Sequence, residues 1–263
     1  MSAAPPLIAF AHVGKSFDGG QVRAVDDVTL EVAEGEFLAI VGGSGSGKTT
    51  LLRLANRLID ADSGRITVEG EDVRAVDPVA LRRRIGYVFQ SGGLFPHMSV
   101  AANIGVTPKL LGTAAAEISS RVDELLDLVR LERTQYRDRF PHELSGGQRQ
   151  RIGVARALAA KPRIVLMDEP FGALDPLTRD ALGDDFRDLH KKLGLTTVMI
   201  THDMTEAILL ADRVAVMRGG KLLAEGTPSE LSDSGDAYVD ELLGTPRRQA
   251  ERLGALLPRG GPA

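Results

Sequence analysis

Short, largely apolar runs alternate with segments of helical periodicity along most of the chain. The runs at 37–41, 164–167 and 197–200 have the length of strands that are buried on both faces. A helix is predicted near 176–193, and another follows the first run, where helical spacing is found at Leu51, Leu54, Ala55 and Leu58. This alternation predicts an α/β fold with a parallel sheet and helices on both of its faces.

Turn glycines outside this pattern predict antiparallel hairpins. Gly19-Gly20 and Gly219-Gly220 each separate two segments rich in Val, Leu or Ile. A short helix is also expected at 79–84, before a strand at 85–89. The predicted hairpins are 7–13 with 24–32, 64–73, and 214–217 with 222–224. The first two predict an N-terminal antiparallel β subdomain beside the parallel sheet.

Residues 91–160 differ from the rest because their apolar positions have only helical spacing. The positions concerned are Ile118, Val122, Leu125, Leu126, Val129, Ile152, Ala155 and Ala159. We expect a helical subdomain at about 91–160, inserted into a core formed by about 1–90 and 161–225. Residues 241–263 are expected to form a flexible tail, since 245–263 is rich in Arg, Gly and Pro.

Composition excludes several classes of protein. The chain of 263 residues has a net charge of -4, whereas nucleic-acid binders carry a basic excess or stripe. The short cluster Arg82-Arg83-Arg84 is therefore interpreted as a solvated helix face. With 0 Cys, the chain can have neither a disulfide framework nor a thiolate metal site. We expect no secretory signal and no spanning helix, because no run approaches about 20 apolar residues.

The first buried run leads into a glycine-rich phosphate loop, residues 42–49. Its sequence, Gly42-Gly43-Ser44-Gly45-Ser46-Gly47-Lys48-Thr49, matches the pattern GxxxxGK[ST] between a strand and a helix. Backbone N–H groups at such a turn can bind phosphates, with Thr50 following in the helix. Lys48 would contact the β- and γ-phosphates, and Thr49 would bind magnesium. A flexible Gly/Ser turn is the alternative.

Two carboxylates, Asp168 and Glu169, follow the buried run at 164–167. Open α/β sheets bind ligands at the carboxyl ends of their strands. We expect Asp168 on the magnesium side and Glu169 as general base for an attacking water. The alternative is that these acids cap the next helix or pair with a surface Arg.

A third constellation is Leu144-Ser145-Gly146-Gly147-Gln148, here termed the signature segment. Ser145 with Gln148 three residues later predicts a capping box at a helix start. The cap does not explain Gly146 and Gly147, since glycines at a helix start cost backbone entropy. They suit the close approach of an anionic group, such as the γ-phosphate of ATP held by another subunit.

The signature segment, placed between a phosphate loop and an apolar-Asp-Glu strand, resembles the signature of the ATP-binding cassette (ABC) family. The resemblance to this family covers about residues 7–230. The resemblance implies a RecA-like P-loop NTPase core, an ABC ATPase domain at about 1–240, and ATP with Mg²⁺. It also implies a head-to-tail homodimer in which ATP lies between one subunit's phosphate loop and its partner's signature segment.

The same resemblance assigns the remaining site residues. Gln90 resembles the Q-loop glutamine, which implies a catalytic role and a place among the magnesium ligands. His202 resembles the switch histidine that contacts the γ-phosphate and water. Asp175 resembles an acid that crosses the dimer interface. Phe17 stands where the family stacks an aromatic ring on adenine, although a core Phe is the alternative. Many relatives have Pro where Gly43 stands here, so the phosphate loop is expected to be slightly looser.

Several stretches are similar to importers of glycine betaine, choline and related osmoprotectants: 56–59, 86–90, 93–98, 136–144 and 201–204. This likeness implies permease subunits docking near Gln90, an extracytoplasmic solute-binding protein, and a peripheral place on the cytoplasmic side of the membrane. Many such relatives carry C-terminal CBS repeats, for which the stretch after Glu225 is too short. Other importers or exporters of amino acids or lipids, soluble repair or translation ATPases, and a cassette without turnover remain alternatives.

Overall fold

The computed structural model describes residues 5–90 and 92–256. Ten strands lie within these ranges: β1 Ile8–Phe17, β2 Val22–Val32, β3 Phe37–Val41, β4 Ser63–Val68, β5 Glu71–Asp72, β6 Ile85–Val88, β7 Ile164–Asp168, β8 Thr196–Thr201, β9 Arg213–Arg218 and β10 Lys221–Gly226. The α-helices there are α1 Lys48–Ala55, α2 Pro78–Arg84, α3 Val100–Leu110, α4 Ala115–Leu128, α5 Arg133–Tyr136, α6 Gly146–Leu158, α7 Pro176–Leu193, α8 Met204–Leu210, α9 Pro228–Ser232 and α10 Ala237–Leu256.

A six-stranded sheet carries the chemistry-bearing segments at one edge. Its strand order is β10-β9-β3-β8-β7-β6, parallel except for β10. All five residues of β3 are buried, as the continuous apolar run predicted. Because β3, β8, β7 and β6 are parallel neighbours, their carboxyl ends meet at one edge. The segments that follow these ends contain the phosphate loop, His202, Glu169 and Gln90.

A four-stranded antiparallel sheet, β2-β1-β4-β5, covers the opposite side of α1. Leu51, Leu52 and Leu54 of α1 are at most 1% exposed and share one core with Ile40 of β3 and Leu30 of β2. Helix α1 therefore lies between the two sheets, with its first residue at the end of the phosphate loop. The α/β fold with a parallel core and an N-terminal antiparallel subdomain is confirmed.

Helices α3 to α6 lie together between β6 and β7. Their core includes Ile104, Leu125, Leu126 and Ile152, all of which are fully buried. All four helices fall within 91–160, the span that the sequence assigned to an inserted helical subdomain. The chain enters this subdomain just after Gln90 and leaves it through α6, so the subdomain adjoins the edge that carries the site.

Two local predictions differ from the structure. Residues 241–256 of the expected flexible tail belong to the helix α10, and 257–263 lie outside the described residues. The arginines of α2 are also more than a solvated face. Arg82 donates to the carbonyl of Asn56 at 3.3 Å, and Arg84 pairs with Glu71 at 2.8 Å. These contacts link α2 to the residue after α1 and to β5 of the four-stranded sheet.

None of the helices in the described parts of the chain is both long enough and apolar enough to cross a membrane.

Candidate active site

The phosphate loop requires glycine at two positions because neighbouring backbone lies against it. Gly47 has φ +102°, and a Cβ there would lie 2.0 Å from the carbonyl oxygen of Ala24. A Cβ on Gly42 would lie 2.1 Å from the carbonyl oxygen of Met217. Both distances are impossible for a side-chain carbon. The loop is thus held between β2 and β9, and its course depends on contacts from distant segments.

Lys48 is folded into this loop and is only 6% exposed. Its Nζ donates to the carbonyls of Gly42 at 2.8 Å and Gly43 at 3.0 Å, and lies 3.4 Å from Ser46 Oγ. Burial lowers the pKa of Lys48, while the nearby carboxylates Glu169 and Asp168 act in the opposite direction. The ammonium therefore lies among the acceptors of the loop, with the two carboxylates close enough to influence it.

Thr49 and Asp168, two of the residues that the sequence assigned to magnesium, contact each other. Thr49 Oγ1 donates to Asp168 Oδ1 at 3.5 Å, and the Tyr87 hydroxyl donates to Asp168 Oδ2 at 3.3 Å. Burial raises the pKa of Asp168, opposed by the charge of Arg53. A hydroxyl and a carboxylate facing each other are oxygen ligands of the kind that Mg²⁺ prefers, so these residues fit the ion.

Glu169, Gln90 and His202 come together at the ends of β7, β6 and β8. Glu169 Oε2 accepts from Gln90 Nε2 at 3.3 Å and lies 3.2 Å from His202 Nδ1. The backbone of Glu169 has φ +45°, which is uncommon for a residue with a side chain. Its N–H donates to the carbonyl of Ile200 at 3.0 Å, which holds this turn against β8. Strain of this kind clusters at functional sites.

Gln90 was predicted both as a catalytic residue and as a magnesium ligand. Its amide contacts Glu169, whereas Asp168 is contacted by Thr49 and Tyr87. The grouping with Glu169 makes Gln90 a candidate for orienting that carboxylate. Its binding to metal stays a prediction.

The predicted capping box at the start of α6 is present. Ser145 Oγ accepts from the N–H of Gln148 at 3.2 Å, and Gln148 Oε1 accepts from the N–H of Ser145 at 2.9 Å. Packing supplies a further reason for one glycine, because a Cβ on Gly147 would lie 2.6 Å from Thr178 Cγ2. Gly146 has more room, with the nearest atom at 3.8 Å. Packing is thus a second reason for glycine at position 147, and the approach of an anion to Gly146 and Gly147 stays a prediction.

Asp175 and Phe17 lie on the surface. Asp175 caps α7 and accepts from the N–H of Thr178 at 3.0 Å; hydrogen bonds from the Thr178 side chain and backbone lower its pKa. Phe17 ends β1 with 39% of its surface exposed, so the alternative of a core position is wrong. Lys15 Nζ lies 5.5 Å from the centroid of the Phe17 ring. Adenine stacking on Phe17 and an interface role for Asp175 stay predictions.

Two contacts of the site were missed by sequence reasoning. Tyr87 binds Asp168 across the β6–β7 pair, where its register partner is Leu166, two residues before Asp168. A polar residue near the end of a strand next to β7 was the available signal. Tyr238 accepts a hydrogen bond from the N–H of Gly43 at 3.1 Å. This contact opposes the loosening expected of Gly43, and no local pattern pointed to a partner so far along the chain.

The phosphate loop and the signature segment are separate within one chain. In the described ranges, hydrogen bonds link the loop to Tyr238, Gly220, Asp168 and Leu51, and link residues 144–148 to Tyr136, Pro141 and Arg149. None of the hydrogen bonds or ion pairs in these ranges links the two motifs to each other. Within one chain, the phosphate loop and the signature segment therefore have separate sets of hydrogen-bond partners.

Comparisons with known proteins agree with this architecture. Residues 25–172 match the ABC transporter family. The chain is 50% identical over 242 residues to the choline transport ATP-binding protein OpuBA of Bacillus subtilis, covering 92% of this chain and 63% of that protein. It is 48% identical over 239 residues to the glycine betaine uptake system ATP-binding protein YehX of Escherichia coli, covering 90% of this chain and 77% of that protein.

A solved structure supports the fold assignment. The ATP-binding cassette MJ0796, described as a dimeric post-hydrolysis state bound to ADP and Pi, superposes with a TM-score of 0.76 at 30% identity. The alignment covers 84% of this chain and 98% of that one. The predicted resemblance to ABC cassettes, and to osmoprotectant importers among them, is confirmed. The chain spans 63% of the length of OpuBA, so the comparison covers only part of that protein.

Proposed function

The chain belongs to the ABC transporter family, and we propose that it is the ATP-hydrolysing subunit of an importer. The observation that carries this proposal is the meeting of Glu169, Gln90 and His202 at the sheet edge that also holds the phosphate loop. A buried cation, a general-base candidate and two polar groups to orient it are the parts that phosphoryl transfer to water requires.

In this proposal the chain binds ATP through the phosphate loop. Its N–H groups and Lys48 contact the phosphates, and Phe17 stacks on the adenine. Thr49 and Asp168 would hold Mg²⁺, with Gln90 as a further candidate ligand; the ion would neutralise charge on the β- and γ-phosphates. Glu169 accepts a proton from the attacking water. His202 and Gln90 contact the same carboxylate oxygen and orient it toward that water.

We propose that two copies are needed for a complete site. The signature segment of one copy, with Ser145, Gly146, Gly147 and Gln148 at the start of α6, contacts the γ-phosphate held by the other copy. Asp175 lies at the exposed start of α7 and would cross between the copies. The separation of the two motifs within one chain supports this arrangement, as does the dimeric state named for MJ0796.

The transported solute is proposed to be an osmoprotectant of the glycine betaine and choline type. The support is the naming of OpuBA for choline transport and of YehX for glycine betaine uptake, at 50% and 48% identity. Permease subunits would dock near Gln90 and the helical subdomain, with an extracytoplasmic solute-binding protein acting through them. In this proposal the chain lies at the cytoplasmic face of the membrane.

The hydrolytic part of the proposal is tested by Glu169→Gln. The amide keeps the shape but cannot accept the proton, so the steady-state rate should fall about 10²- to 10⁴-fold while ATP binding persists. Trapped ATP should then hold the dimer together in size-exclusion chromatography. The control is Glu117→Gln, which changes an exposed acid of α4. Wild-type turnover in Glu169→Gln would remove Glu169 from the reaction.

The transport part requires a different measurement. The chain is reconstituted into proteoliposomes with the permease subunits and the solute-binding protein that co-purify with it. ATP-driven uptake of glycine betaine or choline is expected, with no uptake of sulfate or of a neutral amino acid. Uptake of one of those control solutes alone would reject the osmoprotectant assignment and leave the ATPase assignment intact.

A further inference from the structure

A residue far from the established motifs contacts the phosphate loop. The N–H of Gly43 donates to the hydroxyl of Tyr238 at 3.1 Å, across a separation of 195 residues. Tyr238 lies in the first turn of α10, beyond the residues 25–172 that match the family. The contact therefore joins the ATP-binding loop to a helix that the family match does not include.

The phenol ring of Tyr238 is held in place by its surroundings. Asp236 Oδ1 accepts from the N–H of Tyr238 at 2.8 Å and from that of Val239 at 3.1 Å. Val239 is fully buried in the core, and the guanidinium of Arg218 lies 4.6 Å from the centroid of the Tyr238 ring. The hydroxyl is thus presented to Gly43 by a preorganised side chain, which reduces the entropy cost of the hydrogen bond.

Gly43 is held through both of its polar groups. Tyr238 accepts from its N–H, while Lys48 Nζ donates to its carbonyl oxygen at 3.0 Å. Lys48 also donates to the carbonyl of Gly42 at 2.8 Å. A shift of Gly43 would therefore move one of the carbonyl oxygens that accept a hydrogen bond from the Lys48 ammonium. The Tyr238 hydroxyl acts on the position of that ammonium through a single residue.

The identity of residue 43 makes this contact possible. Pro, which the resemblance places here in many relatives, has no N–H to donate but fixes its own φ. Gly supplies the donor and has the greatest backbone freedom. In this chain the hydrogen bond from Gly43 to Tyr238 thus restricts the backbone of residue 43, as a proline ring would in those relatives.

We infer that Tyr238 is a positioning residue for the phosphate loop: its hydroxyl holds Gly43, and through Gly43 the Lys48 ammonium, in the arrangement that binds the phosphates of ATP. The inference rests on the proposed ATPase function. It assigns to α10 a direct influence on nucleotide affinity, in addition to any structural role of that helix.

The test is Tyr238→Phe, which removes only the hydroxyl. Loss of one hydrogen bond should raise the KM for MgATP, and the Kd for a fluorescent ATP analogue, about two- to tenfold. The kcat at saturating MgATP should stay at the wild-type value, because Glu169, Gln90 and His202 are untouched. The matched control is Thr245→Val, since the Thr245 hydroxyl lies on the same helix and donates within it to Glu241 at 2.7 Å.

A double-mutant cycle distinguishes the hydrogen bond from other effects of the phenol. Gly43→Ala keeps the N–H, and its Cβ would lie at an ordinary 3.6 Å from the Tyr238 hydroxyl. Tyr238→Phe should therefore raise KM in the Gly43→Ala background as it does in wild type. Gly43→Pro removes the donor, so Tyr238→Phe should have no further effect on KM in that background.

The possible results separate this inference from the proposed function. Absence of ATP binding by the wild-type chain would reject the proposed function itself. Normal wild-type turnover with an unchanged KM in Tyr238→Phe would overturn the inference alone. A fall in melting temperature accompanied by equal losses of kcat and kcat/KM would also overturn it, because it would show a purely structural role. A raised KM that persists in the Gly43→Pro background would do the same.

Discussion

The phosphate loop and the signature segment are both helix starts that contain glycine, yet the protein supports them in opposite ways. Around the loop, backbone carbonyls of Ala24 and Met217 lie so close that neither Gly47 nor Gly42 could carry a side chain. Around the signature segment, Ser145 and Gly146 are exposed, and a Cβ on Gly146 would meet nothing nearer than 3.8 Å. Both ends of the loop are thus packed against distant backbone of the same chain, whereas the first residues of the signature helix are exposed.

This difference indicates which part of the proposed site each chain completes alone. The loop has its cation, its carboxylates and its neighbouring backbone within one chain: Lys48 follows β3, the carboxylates stand at the end of β7, and β2 and β9 lie against the loop. The signature segment has only a local cap and a helix start, whose partial positive charge can act on an anion brought from outside. Changes at the loop should therefore act on folding and ATP binding, and changes at the signature segment on a step that needs a second copy.

The comparison predicts a large loss of ATP affinity in Gly47→Ala. The added methyl would lie 2.0 Å from the Ala24 carbonyl, at a φ of +102° that disfavours a side chain, so the loop must move. We expect ATP affinity to fall on the order of a hundredfold. A fluorescent ATP analogue titrated against the nucleotide-free protein measures this change.

Gly146→Ala is the matched comparison at the signature segment. The space around Gly146 admits a methyl group, so analogue affinity and melting temperature of the nucleotide-free chain should stay near wild type. Equal losses of affinity in the two variants would contradict the difference between Gly47, which is packed against distant backbone, and Gly146, which is exposed.

Patterns local to the chain predicted the parts of the site that lie next to buried strands. Runs such as 164–167 placed Asp168 and Glu169 at a strand end, and parallel pairing then brought Gln90 and His202 beside Glu169. Periodicity and strand length are sufficient for such inferences because they report burial along one segment.

Features that depend on distant backbone had no such signal. Helix α1 ends at Ala55, although Leu58 continued the apolar spacing. Arg57 adopts φ +52°, and the N–H of Leu58 donates to the carbonyl of Arg53 at 2.9 Å, which closes the helix without the usual glycine. The packing of Thr178 on Gly147 and the hydrogen bond of Tyr238 to Gly43 likewise depend on elements brought together by the whole fold.

Mixing two inactive variants tests whether the signature segment acts on a second copy. Lys48→Ala and Ser145→Arg should each abolish turnover, one at the loop and the other at the signature segment. In a mixed dimer, the intact loop of the Ser145→Arg chain faces the intact signature segment of the Lys48→Ala chain. An equal mixture should then regain up to roughly a quarter of wild-type activity, since half of the dimers are mixed and each has one intact site.

Steady-state ATPase assays of the two variants, separate and mixed, measure this recovery. The control is a mixture of Lys48→Ala with a Lys48→Ala/Ser145→Arg double variant, in which no intact loop exists. Persistent inactivity of the first mixture, together with proof by cross-linking that mixed dimers form, would contradict a site shared between copies.

The smallest changes are expected in the melting temperature, when either of the two helix caps beside the proposed interface is removed. Ser145 caps α6 with a neutral hydroxyl, and Ser145→Ala should lower the melting temperature by about 2–4 °C at any pH between 4 and 8.

Asp175 caps α7 with a carboxylate whose pKa is lowered from 3.8 by hydrogen bonds from Thr178. Its stabilising contribution is therefore complete well above pH 3.8 and is lost as the pH falls through the lowered pKa. Melting curves of Asp175→Ala should show a deficit at pH 7 that shrinks toward pH 3, while the Ser145→Ala deficit stays constant. A deficit of Asp175→Ala that does not change with pH would mean that the charge of Asp175 is not part of the cap.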